Sequence, residues 1–203
     1  ASDVYKRQEI DTFVDILDAY PKWEVVLTQM NYLDEYYQTG VMGLDELKRL
    51  NIGSMIMEPL RGGRLVQNIP PEVQKLWNGA EVKRTPVEWA LEYLWNRDDV
   101  DCVLSGMNSL EQVRQNIQIA SDVKEISEHD HDLIREVART YKTLTGNDCT
   151  CCGYCMPCPE DVDIINCFKE YNIGKMLNNP KGSALQYFTL IDDDCRADSC
   201  IDC

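Results

Sequence analysis

The stretch IGSMIMEPLRGG, residues 52–63, decides the fold class. It begins with a short apolar run at 52–57 and ends in an arginine and two glycines, where the chain must turn. Similar apolar runs lie at 23–30 and 100–104, and amphipathic helix patterns separate them. Apolar strands alternating with helices are typical of a parallel sheet covered by helices. The sequence therefore predicts an α/β fold, either an open doubly wound sheet or a closed (β/α) barrel.

The helix patterns carry their own start signals. Thr85 with Glu88, and Ser109 with Gln112, have the spacing of capping boxes. Together with the apolar periodicity, these signals predict helices at 10–17, 42–50, 86–94, 110–120, 128–144 and 161–171, and a turn at 178–182.

Composition narrows the class of protein. The 203 residues include 35 acidic and 20 basic side chains, and this net charge of -15 repels nucleic acid and anionic membrane surfaces. No apolar run approaches the roughly 18 residues of a membrane span, and no signal peptide opens the sequence. We therefore expect a cytoplasmic protein with no nucleic-acid or membrane partner. In that compartment the ten cysteines indicate metal binding rather than disulfides.

The stretch CTCCGYCMPCP, residues 149–159, concentrates half of these cysteines. Thiols recur there at regular three-residue intervals, at Cys149, Cys152, Cys155 and Cys158. A proline directly after the last thiol is typical of the bacterial ferredoxin run, although ferredoxins leave three residues before the last cysteine and this chain leaves two. Paired Cys-x2-Cys spacing also occurs in zinc sites, so zinc remains the alternative to an iron–sulfur cluster.

A second, partial run, Cys200 and Cys203, suggests two clusters. In two-cluster ferredoxins the fourth cysteine of each run ligates the other cluster. That arrangement would place one cluster on Cys149, Cys152 and Cys155, and the other on Cys158, Cys200 and Cys203. Each cluster would lack one ligand, so we expect the sequence to stop before the native protein does. Cys102, inside a strand pattern, is predicted to be a small buried hydrophobe.

Two strand ends have the composition of phosphate sites. Residues 58–63 and 105–107 follow apolar strands and contain glycines, and Gln29 ends the strand before them. Glycine lets main-chain N–H groups approach a phosphate closely, and a helix start after Gly106 favours an anion. Ordinary turns are the alternative interpretation of both segments.

Four segments resemble the aldo/keto reductase superfamily, in the subfamily with a ferredoxin-like C-terminal extension. They are QMNYLDE at 29–35, MEPLRGGRL at 57–65, LSGMNSLEQVRQN at 104–116 and CTCCGYCMPCPEDVDI at 149–164. The resemblance implies a (β/α)8 barrel that binds NADP or NAD at the carboxyl ends of its strands. The three apolar runs would then be its sixth, seventh and eighth strands. The implied reaction is hydride transfer between nicotinamide and a small carbonyl or alcohol substrate.

The resemblance also implies cofactor contacts. Gln29 would hold the nicotinamide carboxamide, and Met57 would pack on the nicotinamide ring. The other implied contacts are Leu60, Arg61 and Gly62 at the pyrophosphate, Gly106 and Met107 at the adenosine 2′-phosphate, and Gln112 and Asn116 at the adenosine end. No basic residue lies near Gly106, which leaves NADP and NAD open.

Residues 1–8 lack any helical or strand pattern and would be an arm, either native or added, and the abrupt rise in cysteine places a domain boundary near 146. With the resemblance, residues 9–145 would be the C-terminal part of the barrel, and residues 146–203 a truncated, small α-helical ferredoxin-like 4Fe–4S domain. No residue matches the catalytic Asp, Tyr, Lys and His of the family, so we expect the fragment alone to be inactive. The clusters would relay electrons to a redox partner or serve structure. The alternatives are a ferredoxin-like electron-transfer protein and a zinc-stabilised interaction domain.

Overall fold

The computed structural model describes residues 2–4, 10–20, 22–147, 149, 153 and 155–201. The strands are β1 (Ser2–Val4), β2 (Val25–Gln29), β3 (Gly53–Met57) and β4 (Cys102–Val103). The helices are α1 (Ile10–Ala19), α2 (Gly40–Leu50), α3 (Pro71–Gly79), α4 (Pro86–Trp95), α5 (Leu110–Ser121), α6 (Glu128–Thr143), α7 (Ile164–Met176) and α8 (Pro180–Leu190). Two short 3₁₀ turns follow, Asp193–Cys195 and Ala197–Ser199.

The described strands form one parallel sheet in the order β1-β2-β3-β4. The three predicted strands are confirmed with narrower bounds, and the register pairs Val25 with Gly53 and Ile56 with Val103. Strand β1 pairs with β2 in parallel, although the sequence shows no strand pattern there. Three residues are too few for periodicity to reveal a strand. That residues 1–8 are an arm, native or added, stays a prediction.

One face of the sheet is buried more deeply than the other. Burial alternates along β2 and β3, so that Val26, Thr28, Ser54 and Ile56 are buried while their neighbours are half-buried. Helix α2 packs against both strands. The hydroxyl groups of Thr28 and Thr39, just before α2, lie 2.5 Å apart. The deeply buried face is therefore the one that α2 covers.

The helix starts agree in part with the predicted caps. Thr85 and Glu88 form the predicted reciprocal capping box at α4. At α5 the Ser109 hydroxyl accepts from Gln112 N–H, but the Gln112 side chain accepts from Asn108 N–H rather than from its expected partner. One of the two hydrogen bonds of the capping box predicted at α5 is therefore present, and the other is absent.

Two helices were missed by the sequence analysis. The turn predicted at 178–182 is present at its start, where Asn178 has φ 47°, but it is wrong from Pro180 onward, because α8 begins there. Asn179 caps it by accepting from Gly182 N–H, and the proline occupies the first turn, where its missing N–H costs nothing. Helix α3, which begins at Pro71, has only nine residues and no side-chain capping pair in its sequence.

Contacts divide the chain into two compact units. The first unit contains Ala1–Gln67 and Trp77–Glu136, and the second contains Asn68–Leu76 and Val137–Cys203. The predicted domain boundaries at residues 9 and 146 stay predictions. Cys102 is exposed, so its predicted burial is wrong: β4 has two residues and lies at the edge of the described sheet. None of the described helices has the length and apolar character to span a bilayer.

Candidate functional site

A buried carboxylate, that of Asp34, ties together the ends of β2 and β3. Its Oδ2 accepts hydrogen bonds from Nε2 of Gln29 over 3.3 Å and from Nδ2 of Asn31 over 3.0 Å. Nε of Arg61 lies 3.0 Å from the same oxygen. Asn31 also donates to the main-chain oxygen of Glu58 over 3.1 Å. Two residues predicted to contact a cofactor, Gln29 and Arg61, therefore meet at one carboxylate.

The loop after β3 has an unusual backbone. Its residues with positive φ are Glu58 at 57°, Arg61 at 51°, Gly62 at 61° and Gly63 at 81°. The left-handed conformation costs a residue with a Cβ about 1–2 kcal/mol, whereas glycine adopts it readily. The contacts that hold the two non-glycine positions are the hydrogen bond from Asn31 and the ion pair with Asp34. The loop at 58–63 is thus fixed by the neighbouring strand end.

Polar side chains orient the start of α5 beside the end of β4. Nδ2 of Asn116 donates to Oγ of Ser105 over 3.0 Å, and Oε1 of Gln112 accepts from Asn108 N–H over 2.9 Å. Both side chains predicted to contact the adenosine end are therefore held against the segment that leaves the sheet.

Main-chain donors lie in that segment. Within the part of the chain that the structure describes, the N–H groups of residues 105–107 make no hydrogen bond. A Cβ placed on Gly106 would meet no atom within 4 Å. Donors with open space before them can bind a hydroxyl or anionic group of a ligand.

These segments surround one cleft in the first unit, with a volume of about 570 Å³, at the carboxyl ends of β3 and β4. The predicted cofactor residues that line it are Met57, Leu60, Gly62, Gly106, Met107, Gln112 and Asn116. Gln29 and Arg61 do not line it and contact Asp34 instead. The lining residues that the sequence analysis missed include Val66, Gln67, Val87 and Gln115. Periodicity placed Val87 and Gln115 on helices, but it does not show which way a helix faces.

The cleft is poor in positive charge. Among the described residues that line it, Glu58 is the one ionisable side chain. The guanidinium of Arg61, predicted to meet a pyrophosphate, is engaged by Asp34. The polar character of the cleft therefore comes from the Glu58 carboxylate, amides, hydroxyls and main-chain groups.

The predicted cluster ligands lie in the second unit. Those that the structure describes are Cys149 and Cys158, which are half-buried, and Cys155 and Cys200, which are exposed. Cys152 and Cys203 lie outside the described residues. Among the described residues, no three potential ligands come together as a metal site. The donor chemistry fits an iron–sulfur cluster, because reduced thiols are the ligands it requires.

Cys167 has a different environment. It lines an apolar cavity of about 660 Å³ in the second unit with Phe168, Tyr171, Tyr187 and Phe188. Burial raises the pKa of the Cys167 thiol, although a hydrogen bond with Tyr187 opposes the shift. Its omission from the predicted ligand set stays a prediction.

The fold is similar to that of an aldo-keto reductase. Two solved structures of aldo-keto reductase AKR11C1 from Bacillus halodurans, the holo and apo forms, superpose with TM-scores of 0.53 at 19% sequence identity. The match covers 66% of this chain and 48% of the holo chain or 49% of the apo chain. This chain thus spans about half the length of those structures. No protein-family model and no curated protein sequence matches it. The predicted α/β fold is confirmed, with a likeness to part of an aldo-keto reductase.

Proposed function

We propose that this chain is the nicotinamide-binding part of an NAD(P)-dependent aldo/keto reductase that carries iron–sulfur clusters. The observation that carries the proposal is the cleft at the ends of β3 and β4, where Met57, Gly62 and Gly106 line one space. Ligands of parallel α/β sheets bind at this end of the strands. The likeness to part of an aldo-keto reductase fold supports the same site.

Each wall of the cleft has a proposed task. Leu60 and Gly62, in the fixed loop after β3, would lie along the pyrophosphate, and Met57 would pack against the nicotinamide ring. Gln29, which Asp34 holds outside the cleft lining, would present its remaining amide atoms to the carboxamide. The N–H groups of residues 105–107 would donate to the adenosine ribose. The cofactor, when bound, supplies the hydride, and these residues orient it.

The proposed site binds a cofactor, but no residue of this chain is assigned as the proton donor of the reaction. None of its residues was predicted to serve as the catalytic Tyr, Lys, His or Asp of the reductase family. We therefore propose that this chain binds the nucleotide but does not itself reduce a carbonyl substrate. The small carbonyl or alcohol substrate and the redox partner belong to the whole protein.

Calorimetric titration with NADH tests the cleft. Gly106→Glu places a carboxylate in open space on the cleft wall, and we expect it to weaken NADH binding about ten-fold or more. Gly79→Glu is the matched control, because Gly79 also has no atom within 4 Å of an added Cβ and does not line the cleft. Absence of saturable binding, or equal losses in both variants, would overturn the proposed cleft.

The cysteines supply the second part of the proposal. Cys149, Cys152 and Cys155 would hold one 4Fe–4S cluster, and Cys158, Cys200 and Cys203 would contribute to another. Such a cluster, when present, can store one electron. This chain would contribute the cysteine thiolates that bind the iron.

Oxygen-free purification tests the clusters. We expect brown protein with iron and acid-labile sulfide, and a loss of iron in Cys155→Ser. Cys102→Ser is the control, because Cys102 is also an exposed thiol but lies in β4. If the purified protein is colourless and contains zinc, the cysteines form a zinc site rather than iron–sulfur clusters. Protein that contains iron but does not bind NADH would favour the alternative function, a ferredoxin-like electron-transfer protein. The cysteine run by itself is consistent with that function.

A further inference from the structure

The second unit contains a cavity that the proposed function does not use. It is lined mainly by α7 and α8 and has a volume of about 660 Å³, within the range of small-molecule sites. Its aromatic side chains are Phe168 and Tyr171 on α7, and Tyr187 and Phe188 on α8. A cavity of this size with several aromatic walls can enclose the apolar body of a small ligand.

Contacts within the second unit hold two of these rings. A Cβ on Gly146 would overlap the Tyr171 ring, so the glycine lets that ring pack on the main chain. The Asn172 side chain in turn accepts from Gly146 N–H over 3.0 Å. The Tyr187 hydroxyl accepts from Ala197 N–H over 2.8 Å. These two walls are therefore in place before a ligand binds, which lowers the entropy cost of binding.

Two buried polar side chains line the same cavity. Glu170 is 8% exposed and carries the one carboxyl group among the described residues of the lining. Ser183 is 5% exposed, and its Oγ has no hydrogen-bond partner within the part of the chain that the structure describes. A buried hydroxyl without a partner is costly, and a hydrogen bond to a ligand would offset that cost. The cavity thus combines apolar walls with an acid and an available hydroxyl.

The charges of the lining favour a cation. Lys175 is the one basic side chain among the described lining residues, and it is exposed, so water and salt screen its charge. Its Nζ lies 5.7 Å from the centroid of the Tyr171 ring, which shows that this ring attracts a cation. Glu170 is buried, so its charge is screened much less. An ammonium group inside the cavity would face both a carboxylate and aromatic rings.

We propose that the cavity lined by α7 and α8 binds a small organic cation, an ammonium group on an apolar or aromatic body. The ammonium group would pair with Glu170 and donate to Oγ of Ser183, and the body would pack among the aromatic rings. The site is separate from the proposed function, because none of its described residues lines the nucleotide cleft or belongs to the predicted cluster ligands.

Calorimetric titration of the whole chain with 2-phenylethylamine tests the site. At neutral pH this amine is a cation, 2-phenylethanol has the same ring without a charge, and 3-phenylpropionate is an anion of similar size. We expect the amine to bind about ten-fold more tightly than the alcohol, because only the amine pairs with a carboxylate and gains cation–π contacts. The anion should show no saturable binding.

Two variants locate the site. Glu170→Gln should remove the preference for the amine over the alcohol. Tyr171→Leu, at an exposed ring, should weaken amine binding about five-fold, and it decides the question if Glu170→Gln does not fold. Tyr36→Leu is the control, because Tyr36 is an exposed ring of the first unit and does not line the cavity. Circular dichroism establishes that each variant is folded.

Preference for the amine, lost in folded Glu170→Gln and weakened in Tyr171→Leu but not in Tyr36→Leu, supports the proposal. Equal binding of the amine and the alcohol overturns it, and so does the absence of saturable amine binding. A folded Glu170→Gln variant that keeps the preference, or equal losses in the two tyrosine variants, also overturns it. NADH binding, measured on the same protein, reports on the nucleotide cleft independently of these results.

Discussion

The Arg61 guanidinium pairs with the Asp34 carboxylate, with Nε 3.0 Å from Oδ2. Asp34 follows β2 and Arg61 follows β3, so this contact joins two neighbouring strand ends. Gln29 and Asn31 donate to the same carboxylate oxygen. One acidic side chain thus orders the amide proposed for the nicotinamide and the loop proposed for the pyrophosphate.

Replacement of Asp34 by asparagine removes the charge with little change of shape. We expect Asp34→Asn to lower the free energy of unfolding by about 1.5–3 kcal/mol, because hydrogen bonds to a charged group contribute that much. NADH binding should weaken as well, since Gln29 and the 58–63 loop lose their anchor. Urea unfolding and calorimetry measure the two effects. Asp45→Asn, at an exposed position on α2, is the control; equal unfolding midpoints for both variants would contradict the assigned role.

A buried ion pair in the first unit gives a second prediction of stability. Nε of Arg84 donates to Oε2 of Glu92 over 2.6 Å, and each side chain is 1% exposed. Arg84 also lies 3.2 Å from Oδ2 of Asp130, so removal of the Glu92 charge leaves the guanidinium with one carboxylate partner instead of two. We expect Glu92→Gln to lower the free energy of unfolding by about 1.5–3 kcal/mol, because hydrogen bonds to charged groups contribute that much. Urea denaturation monitored by circular dichroism measures the change.

The ion pair of Glu46 with Arg49 is the control, because these side chains are 19% and 63% exposed. It has the same chemistry with less burial, so Glu46→Gln should shift the unfolding midpoint less than Glu92→Gln. Similar shifts in the two variants would show that burial does not set the importance of the Arg84–Glu92 pair.

The first turn of α6 predicts a dependence of stability on pH. Burial alone would raise the pKa of Asp130, but hydrogen bonds with Ser127 and the charge of Arg84 outweigh it and hold the pKa below its ordinary value of 3.8. A depressed pKa in the folded state stabilises the protein above the unfolded value, and this contribution is lost as the pH falls through the folded value.

The Asp130→Asn variant isolates that contribution. At neutral pH it should be about 1–3 kcal/mol less stable than the wild-type chain, and the difference should shrink as the pH falls below about 4. Unfolding midpoints measured across acid pH give the profile. Asp132→Asn removes an exposed carboxylate of the same helix and is the control, because its loss of stability at neutral pH should be smaller than that of Asp130→Asn. If the stability difference between Asp130→Asn and the wild-type chain were the same at every pH, the ionisation of Asp130 would not be its source.

The sequence could predict what depends on local pattern. The strand at 52–57 and the capping box of Thr85 were visible because apolar runs and capping pairs leave signals within a few residues. The pairing of Asp34 with Arg61 could not be predicted from the sequence. It joins positions far apart in the chain, and it depends on the sheet register, which no local pattern encodes. For the same reason the sequence did not reveal the carboxylate partner of Arg61, whose contact with a cofactor stays a prediction. Exposure of Cys102 depended on its edge position, which is also a property of the assembled sheet.

The start of α2 provides the sharpest backbone test. Gly40 has φ +48°, and a Cβ there would overlap the main-chain oxygen of Glu35. An alanine must either move the 35–40 loop or strain the backbone, and strain of this kind costs about 1–3 kcal/mol. We therefore expect Gly40→Ala to lower the unfolding midpoint in urea. Gly79→Ala should not, because no atom lies within 4 Å of a Cβ at the end of α3 and alanine is the better helix former. If both variants were as stable as the wild-type chain, the loop before α2 would not require a glycine, and the path of the chain from Asp34 to α2 would have to differ from the one described.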